Sequence, residues 1–545
     1  MVAAVRSGQG QAAAAAAAAA AAPADAHVIK AQALGLLKIQ LPEEATRRWP
    51  AIVIAGGLRC SSITVVNSNT LQLDIVKNAE GSGSGAGDQI AIQVMAQQPL
   101  QKQSSRVRLL HGQQNFLTIN FSQLYHDSWE QAREAPQYIK QVLSQGVIIN
   151  GEHYYFVGSS AGQLREQVAV LYRCSSPEQA WQLLLSWGDF GSIGSAAKMY
   201  KRIGLMFSGV SPISLTTTER SNSSSSNNGS GGQPTIKAVE VGDIEAGGFT
   251  FTDGCGIISQ RCARRVMASR GKITLHGNNY LPSVYQIRYK GYKGVVHIDT
   301  PDGAYMAAAA TAAGMDPATV ADCDLLLRKS MSKVGGVSDA TLGLVAVSLP
   351  YKVGFLNQQF VLLLSALGAP DDVLLQQQAE YFRELDGLCS DASVATRYLL
   401  MDEKYKQAEA VACLPDDSSL PPAVMSHMQR IYSREARSPS YFPGDLRVLQ
   451  LLDVPQLRQL QDVLVLPVQG PRPHADECSG GDYDGDQFFV CWDERLIPSK
   501  HQLQRPLDYS ADADPAAPAA AAVDHQALIE YFAQYDPFIL GRLNS

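Results

Sequence analysis

The stretch Ser479-Gly480-Gly481-Asp482-Tyr483-Asp484-Gly485-Asp486-Gln487 decides the reading of this 545-residue chain. Its three carboxylates fall at i, i+2 and i+4. In an extended segment that spacing turns all three side chains to one side. Two unit charges about 4 Å apart repel by about 4 kcal/mol at an effective dielectric near 20, so three crowded carboxylates demand a multivalent cation. Oxygen-only ligands with little room select Mg²⁺ or Mn²⁺. The flanking glycines let the backbone turn sharply and let a bulky substrate approach. An EF-hand loop is excluded, because it needs glycine at its sixth position. Counting from Asp482, the sixth residue is Gln487 and the glycine is fourth. The competing reading is a solvated acidic turn. Against it stand two short apolar runs, Val463 to Val468 and Phe488 to Trp492, which read as buried strands and make the loop an excursion from a core. A carboxylate-held pair of Mg²⁺ ions is the usual apparatus for in-line phosphoryl or nucleotidyl transfer.

Such chemistry also needs cations to meet a triphosphate and a nucleic-acid backbone. Gly254 to Ile298 contains no Asp or Glu, yet it holds Arg261, Arg264, Arg265, Arg270, Lys272, Arg288, Lys290 and Lys293. A solvated basic face explains most charge runs of this kind. Lys293 differs, because in Gly291-Tyr292-Lys293-Gly294 it stands at a strand–turn junction where glycines expose it. That placement suits a phosphate contact made as a point charge. A second basic group, Arg328-Lys329-Ser330-Met331-Ser332-Lys333, follows after an alanine-rich spacer.

Composition bounds the rest. At roughly 150 residues per domain the chain holds about three to four domains. It is 46% apolar and 18% charged, with 45 basic and 52 acidic residues for a net charge of -7. It is therefore no polycationic tail-type protein, and a global basic balance cannot be what binds nucleic acid. No run of 18 or more strongly apolar residues offers a conventional transmembrane helix, so no membrane partner is expected. Nine cysteines, with no Cys-x-x-Cys pair, read as reduced thiols of a nuclear or cytoplasmic protein.

Low-complexity segments punctuate the chain. The tract Ala12 to Ala22 is a weak signal-peptide core and reads as an expansion outside the fold. Gly81 to Gly87, Ser221 to Pro234 and Ala511 to Ala522 read as connectors that bury little. Trp49 to Val76 and Gln89 to Phe121 alternate like strands. Pro177 to Phe207 is helical in period, with a start signal at Ser175-Ser176-Pro177-Glu178. Val284 to Ile298 reads as strand, tight turn, strand. Leu356 to Phe382 reads as helical, broken at Gly368-Ala369-Pro370.

With these residues in view, SGGDYDGDQFFVCWD (Ser479 to Asp493) resembles the catalytic signature of the eukaryotic cell-encoded RNA-dependent RNA polymerases of RNA silencing. Similar blocks run collinearly over roughly residues 100 to 500. They include Ser105-Arg106-Val107-Arg108, Gly188-Asp189-Phe190, Asp253-Gly254-Cys255-Gly256, Gln286-Ile287-Arg288, Pro443-Gly444-Asp445 and Gly470-Pro471-Arg472-Pro473-His474. The resemblance implies an α+β fold with two double-psi β-barrels joined by a helical connector, a mixed N-terminal region and a truncated C-terminal helical part. The implied division is a low-complexity 1–30, a β-rich 31–145, a mostly helical 146–220, a linker at 221–234, a first barrel at 235–350, a helical connector at 351–430, a second barrel at 431–500 and a partial helical region at 501–545. By the same resemblance Asp482, Asp484 and Asp486 hold catalytic Mg²⁺ (or Mn²⁺), and Lys293 faces the nucleotide from the other barrel. Arg288, Lys290, Arg328, Lys333 and Arg472 are implied nucleotide or RNA contacts. Tyr483, more often leucine in the family, is expected to point away from the metal. The implied substrates are a single-stranded RNA template and NTPs, and the implied partners are Dicer- or Argonaute-type proteins. Two other readings are a non-catalytic RNA-binding or scaffold paralogue and a relative of the largest DNA-dependent RNA polymerase subunit. The intact triad opposes the first. Both barrels on one chain oppose the second.

Overall fold

The computed structural model describes residues 59–65, 70–77, 90–97, 104–122, 129–149, 152–213, 236–349, 356–414, 420–424, 443–507 and 523–535, with breaks of a few residues inside some of these ranges. The alanine tract and the three connectors lie outside the described residues.

Seven strands make the first sheet: β1 (Arg59–Val65), β2 (Thr70–Lys77), β3 (Ile90–Gln97), β5 (Phe116–Asn120), β6 (Val147–Ile149), β7 (Glu152–Gly158) and β8 (Val168–Arg173), in the order β1-β3-β2-β5-β8-β7-β6. Among the described residues the alternation read over 49–76 and 89–121 yields strands, interrupted by a short helix and a following 3-10 turn (Gln113–Asn115). Arg106–His111 is a short helix, α1, following β4 (Ser104–Ser105). The 146–220 stretch, expected to be mostly helical, is mixed. It gives β6 to β8 to this sheet, and β8 pairs antiparallel with β5 across the expected boundary at 145. Runs as short as Val168 to Leu171 carry too few residues for period to separate strand from helix.

Helices cover this sheet: α2 (Trp129–Gln145), α3 (Ala161–Arg165), α4 (Pro177–Leu185) and α5 (Ala196–Met206). Helix α4 starts where the sequence signals it, with the Ser176 side chain accepting from the Gln179 N–H and Pro177 in the first turn. Leu117, Ile119, Ala169 and Leu171 from the sheet pack against Ile139 and Val142 of α2 and Tyr200 and Ile203 of α5. A helix from the far end of the chain, His525–Gln534, joins the same core through Leu528, Ile529 and Phe532.

The second sheet has eight strands. To β4 and β9 (Gly209–Ile213) it adds β10 (Ala238–Val241), β13 (Cys255–Ile258), β16 (Val284–Tyr289), β17 (Tyr292–Ile298), β18 (Leu325–Arg328) and β19 (Leu342–Val347), in the order β10-β18-β13-β17-β16-β19-β9-β4. Two small hairpins lie outside it, β11 (Glu245–Ala246) with β12 (Phe249–Thr250) and β14 (Ile273–Leu275) with β15 (Asn278–Tyr280). The expected strand, tight turn and strand over 284–298 is β16–β17. Its two-residue turn, Lys290-Gly291, has both residues at positive φ, the geometry that matches strand twist. Period-two alternation then divides the hairpin. Tyr285, Ile287, Val296 and Ile298 bury against Cys262, Ala263 and Val266 of α6 (Gln260–Arg270). Val284 and Val295 pack on the other face, with Leu466 and Tyr483.

Helix α7 (Ala304–Ala312) covers one end of this sheet. The region after β19 is helical as expected, with α8 (Gln358–Ala366), α9 (Asp371–Gly387), α10 (Ala392–Met401) and α11 (Tyr405–Ala412). The break at Gly368-Ala369-Pro370 falls between α8 and α9, where proline cannot continue a helix.

A second expectation is corrected. Among the described residues of 443–507 there is no strand, only single helical turns and α12 (His474–Glu477). Val463 to Val468 and Phe488 to Trp492 are therefore not buried strands. Leu466 is buried, with Val463, Leu464 and Phe488 packed partly against the same cluster, but Val490 and Trp492 are 52% and 70% exposed. A short apolar run reports contact with a core, not a hydrogen-bonded neighbour, and a ladder needs both.

Candidate active site

The face of the β16–β17 hairpin opposite α6 carries Gln286, Arg288 and Lys293, with Arg288 and Lys293 as direct cross-strand partners. The loop 479–487 lies on that face. It is anchored at three points. The Tyr483 N–H donates to the Asp253 carbonyl (3.0 Å), Gln286 Nε2 donates to the Asp484 carbonyl (3.0 Å), and the Tyr483 ring is buried with Cys255 and Val284. Tyr483 thus points away from the carboxylates, as expected. Gly254 makes the approach possible. With φ +82°, it has no side chain where a Cβ would lie 2.7 Å from the Cβ of Asp484.

The three aspartates converge, with carboxylate oxygens of Asp482, Asp484 and Asp486 all within 4.8 Å of one another. They do so through bends, not through the extended segment that the spacing suggested. Positive φ at Ser479, Gly480 and Gly485 folds the loop. Two bonds close it, from the Asp484 N–H to Asp482 Oδ1 (2.9 Å) and from the Asp482 N–H to Asp486 Oδ2 (3.0 Å). Lys293 Nζ reaches Asp484 Oδ2 at 2.6 Å. The sequence pattern therefore singled out a cation, 191 positions away, that the fold places against Asp484.

Burial, then the nearby charge of Asp484, pushes the Asp482 carboxyl up to about 7. Asp253 is raised by burial as well, partly offset by Lys333, whose Nζ lies 3.6 Å from its Oδ1. That Oδ1 is buried and accepts no hydrogen bond. Three converging carboxylates, with that of Asp253 nearby, form an all-oxygen donor set that fits Mg²⁺ or Mn²⁺. Asp253 and Gln286 are thus site residues that spacing alone did not reveal. The signal for both was their place at the head of the family-like blocks Asp253–Gly256 and Gln286–Arg288.

Comparison with known proteins settles the family. The family model described as RNA dependent RNA polymerase matches residues 90–434 and 436–545. The chain belongs to the RNA-dependent RNA polymerase family. It is 30% identical to the probable RNA-dependent RNA polymerase 1 of Oryza sativa subsp. japonica over 73% of this chain and 55% of that protein. It is 27% identical to RNA-dependent RNA polymerase 6 of Arabidopsis thaliana, over 73% of this chain and 36% of the relative. The chain thus spans about a third to a half of the curated relatives it matches. The solved RNA dependent RNA polymerase QDE-1 from Thielavia terrestris shares the fold at a TM-score of 0.55 and 18% identity, covering 85% of this chain and 58% of that one.

The other basic residues of this family member divide sharply. Arg288 sits beside Lys293, and burial brings its guanidinium down to about 10 against the pull of Asp484. Lys333 reaches the site through Asp253. Lys290 is exposed at the hairpin turn, with its Nζ 5.7 Å from the Tyr289 ring centre. Arg328 is buried and donates to the Gly242 carbonyl at 2.7 Å, so it supports backbone. Arg472 pairs with Asp476, donates to the Leu507 carbonyl (2.9 Å) and stacks over Phe249. The last two are committed within the protein. Charge pattern reports sign, not whether a partner has already taken the charge.

Proposed function

We propose that this chain makes complementary RNA from a single-stranded RNA template by divalent-metal-dependent nucleotidyl transfer, in RNA silencing. The observation that carries the reading is the convergence of the Asp482–Asp484–Asp486 carboxylates with Lys293 from a separate segment. Asp482, Asp484 and Asp486 would hold the metal, Mg²⁺ or Mn²⁺, with Asp253 as a further carboxylate at its edge. Divalent ions held there would supply activation of a 3′-hydroxyl and charge neutralisation for the departing pyrophosphate. Lys293 and Arg288 supply positive charge where the triphosphate's negative charge gathers. Gln286 fixes the loop backbone and so the carboxylate positions. In this reading the strands of the eight-stranded sheet within 235–350 correspond to the first double-psi barrel, while the second, expected over 431–500, has no strand among its described residues. Dicer- or Argonaute-type partners and a nuclear or cytoplasmic location go with it.

The test is incorporation of labelled NTP on single-stranded RNA with Mg²⁺, comparing the wild-type chain with Asp486→Ala. The expected result is template-dependent synthesis by the wild type only. Equal incorporation by both refutes the site. Preference for a single-stranded DNA template points to DNA-dependent chemistry, and RNA binding without synthesis points to a scaffold paralogue.

A further inference from the structure

Helix α5 buries one face and leaves a charged one. Met199, Tyr200, Ile203 and Met206 enter the core of the first sheet. The helical period then places Lys198, Lys201, Arg202 and Leu205 together on the other face. Lys198 and Lys201 are exposed and Arg202 is half-exposed. None of these three side chains has a carboxylate or hydrogen-bond partner among the described residues. Surface cations elsewhere are taken: Lys140 by Glu530 (2.9 Å), Arg261 by Asp324 (3.1 Å) and Arg495 by Asp493 (2.6 Å). The sequence around α5 supplies no acid either, since Phe190 to Thr218 contains no Asp or Glu. The end of neighbouring α3 adds Arg165 and Glu166, which cancel.

The stripe leads somewhere. At its C-terminal end Leu205 lines a cavity of about 270 Å³, together with Leu109 and Leu110 of α1 and with Tyr292 and Lys293 of the catalytic hairpin. Strand β9, which follows α5, pairs with β4, which precedes α1, so these walls are held side by side. Lys201 and Arg202 each stand about 5–6 Å from Lys198 at the Cβ. From Lys198 to Leu205 the helix rises about 10 Å. In a chain of net charge -7, uncompensated positive charge gathered on one helix face beside the catalytic hairpin marks a local site for a polyanion. An RNA backbone presents such charge in regular sequence, and Lys and Arg meet phosphates without reading bases.

We infer that the outer face of α5, through Lys198, Lys201 and Arg202, binds the phosphate backbone of single-stranded RNA beside the catalytic centre. That the bound strand is template rests on the polymerase reading; the binding itself does not.

The test is binding of a fluorescein-labelled oligouridylate to the full chain, followed by anisotropy without NTPs, over about 50 to 200 mM KCl. On single strands each phosphate contact contributes about 0.7 to the slope of log K against log salt. The combined Lys198→Gln, Lys201→Gln, Arg202→Gln variant is expected to flatten that slope by about 2 and to bind at least tenfold more weakly at the lowest salt. Lys201→Glu alone, a milder change at an exposed position, is expected to weaken binding at least threefold. The control joins Lys237→Gln, Arg264→Gln and Arg270→Gln, exposed positions on other elements, and changes net charge equally. Its slope is expected to stay within about 0.5 of the wild-type value. An unchanged slope in the folded α5 variant, undiminished binding by Lys201→Glu, or an equal loss in the control overturns the inference. An unchanged slope would leave the face to an acidic protein partner. A wild-type chain that binds RNA through α5 but makes none removes the polymerase reading and leaves the α5 site standing. Synthesis by a wild-type chain whose RNA binding ignores the α5 substitutions does the reverse.

Discussion

Replacing Gly254 by alanine isolates the contact that seats the aspartate loop. The added Cβ would lie 2.7 Å from Asp484 Cβ, 2.8 Å from its nitrogen and 3.0 Å from its Cα. Carbon atoms rest at about 3.5–4.0 Å, so the Asp484 backbone must retreat by roughly 1 Å. A displacement of that size at a reacting centre costs about 100-fold in rate. Stability falls too. Forcing an L-residue into φ +82° costs about 1–2 kcal/mol, and the overpacking adds about 1–3 kcal/mol. Two other glycines separate these terms. Gly271 has φ +104° and open space around its Cβ position, so Gly271→Ala carries the conformational term alone. Gly242 has open space and no left-handed φ, so Gly242→Ala changes stability by less than about 0.5 kcal/mol or raises it slightly. The assays are urea unfolding and templated NTP incorporation on all three variants. Only Gly254→Ala is expected to lose activity. Wild-type synthesis by a Gly254→Ala protein would show that Asp484 is not held where the reaction needs it.

Other substitutions test separate links. Lys293→Met is expected to lower kcat by about 100- to 1,000-fold, as loss of a charge-stabilising donor does, with little change in divalent-ion affinity; single-nucleotide incorporation and Mn²⁺ titration read the two effects apart. His297 is buried, and burial brings its imidazole down to about 4. Between there and the unfolded-state value near 6.5 the unfolded chain binds more protons, so stability falls as pH drops through that window, by about 2 kcal/mol from pH 7 to pH 5. His297→Gln is expected to flatten that slope in urea midpoints measured at both pH values. Phe532→Ala, at a fully buried position of the C-terminal helix packed on the first sheet, is expected to cost about 3–5 kcal/mol by thermal or urea unfolding.

What the sequence revealed and what it hid follow from how far each signal reaches. The β16–β17 hairpin was legible to its outer ends, Val284 and Ile298, because alternation and a tight turn are local properties. The helical break at Gly368-Ala369-Pro370 was legible for the same reason. The triad was legible because three like charges at close spacing are physically expensive without a cation. Its mode of convergence was not, since bends at Ser479 and Gly480 and the hydrogen bonds between the aspartates belong to the folded loop. Asp253 and Gln286 escaped because their roles exist only when 253–254, 286 and 483–485 meet in space. Arg328 and Arg472 were RNA contacts implied by the family resemblance, but the fold commits them to Gly242 and Asp476. The runs at 463–468 and 488–492 misled because apolar character does not specify a pairing edge.

The most direct measurement is Mn²⁺ binding followed by electron paramagnetic resonance, on the wild-type chain and on Asp484→Asn. Saturable binding by the wild type, weakened at least tenfold by that single substitution in a folded protein, is the expected result. Equal binding by the two proteins would contradict the assignment of the Asp482–Asp484–Asp486 cluster as the metal centre.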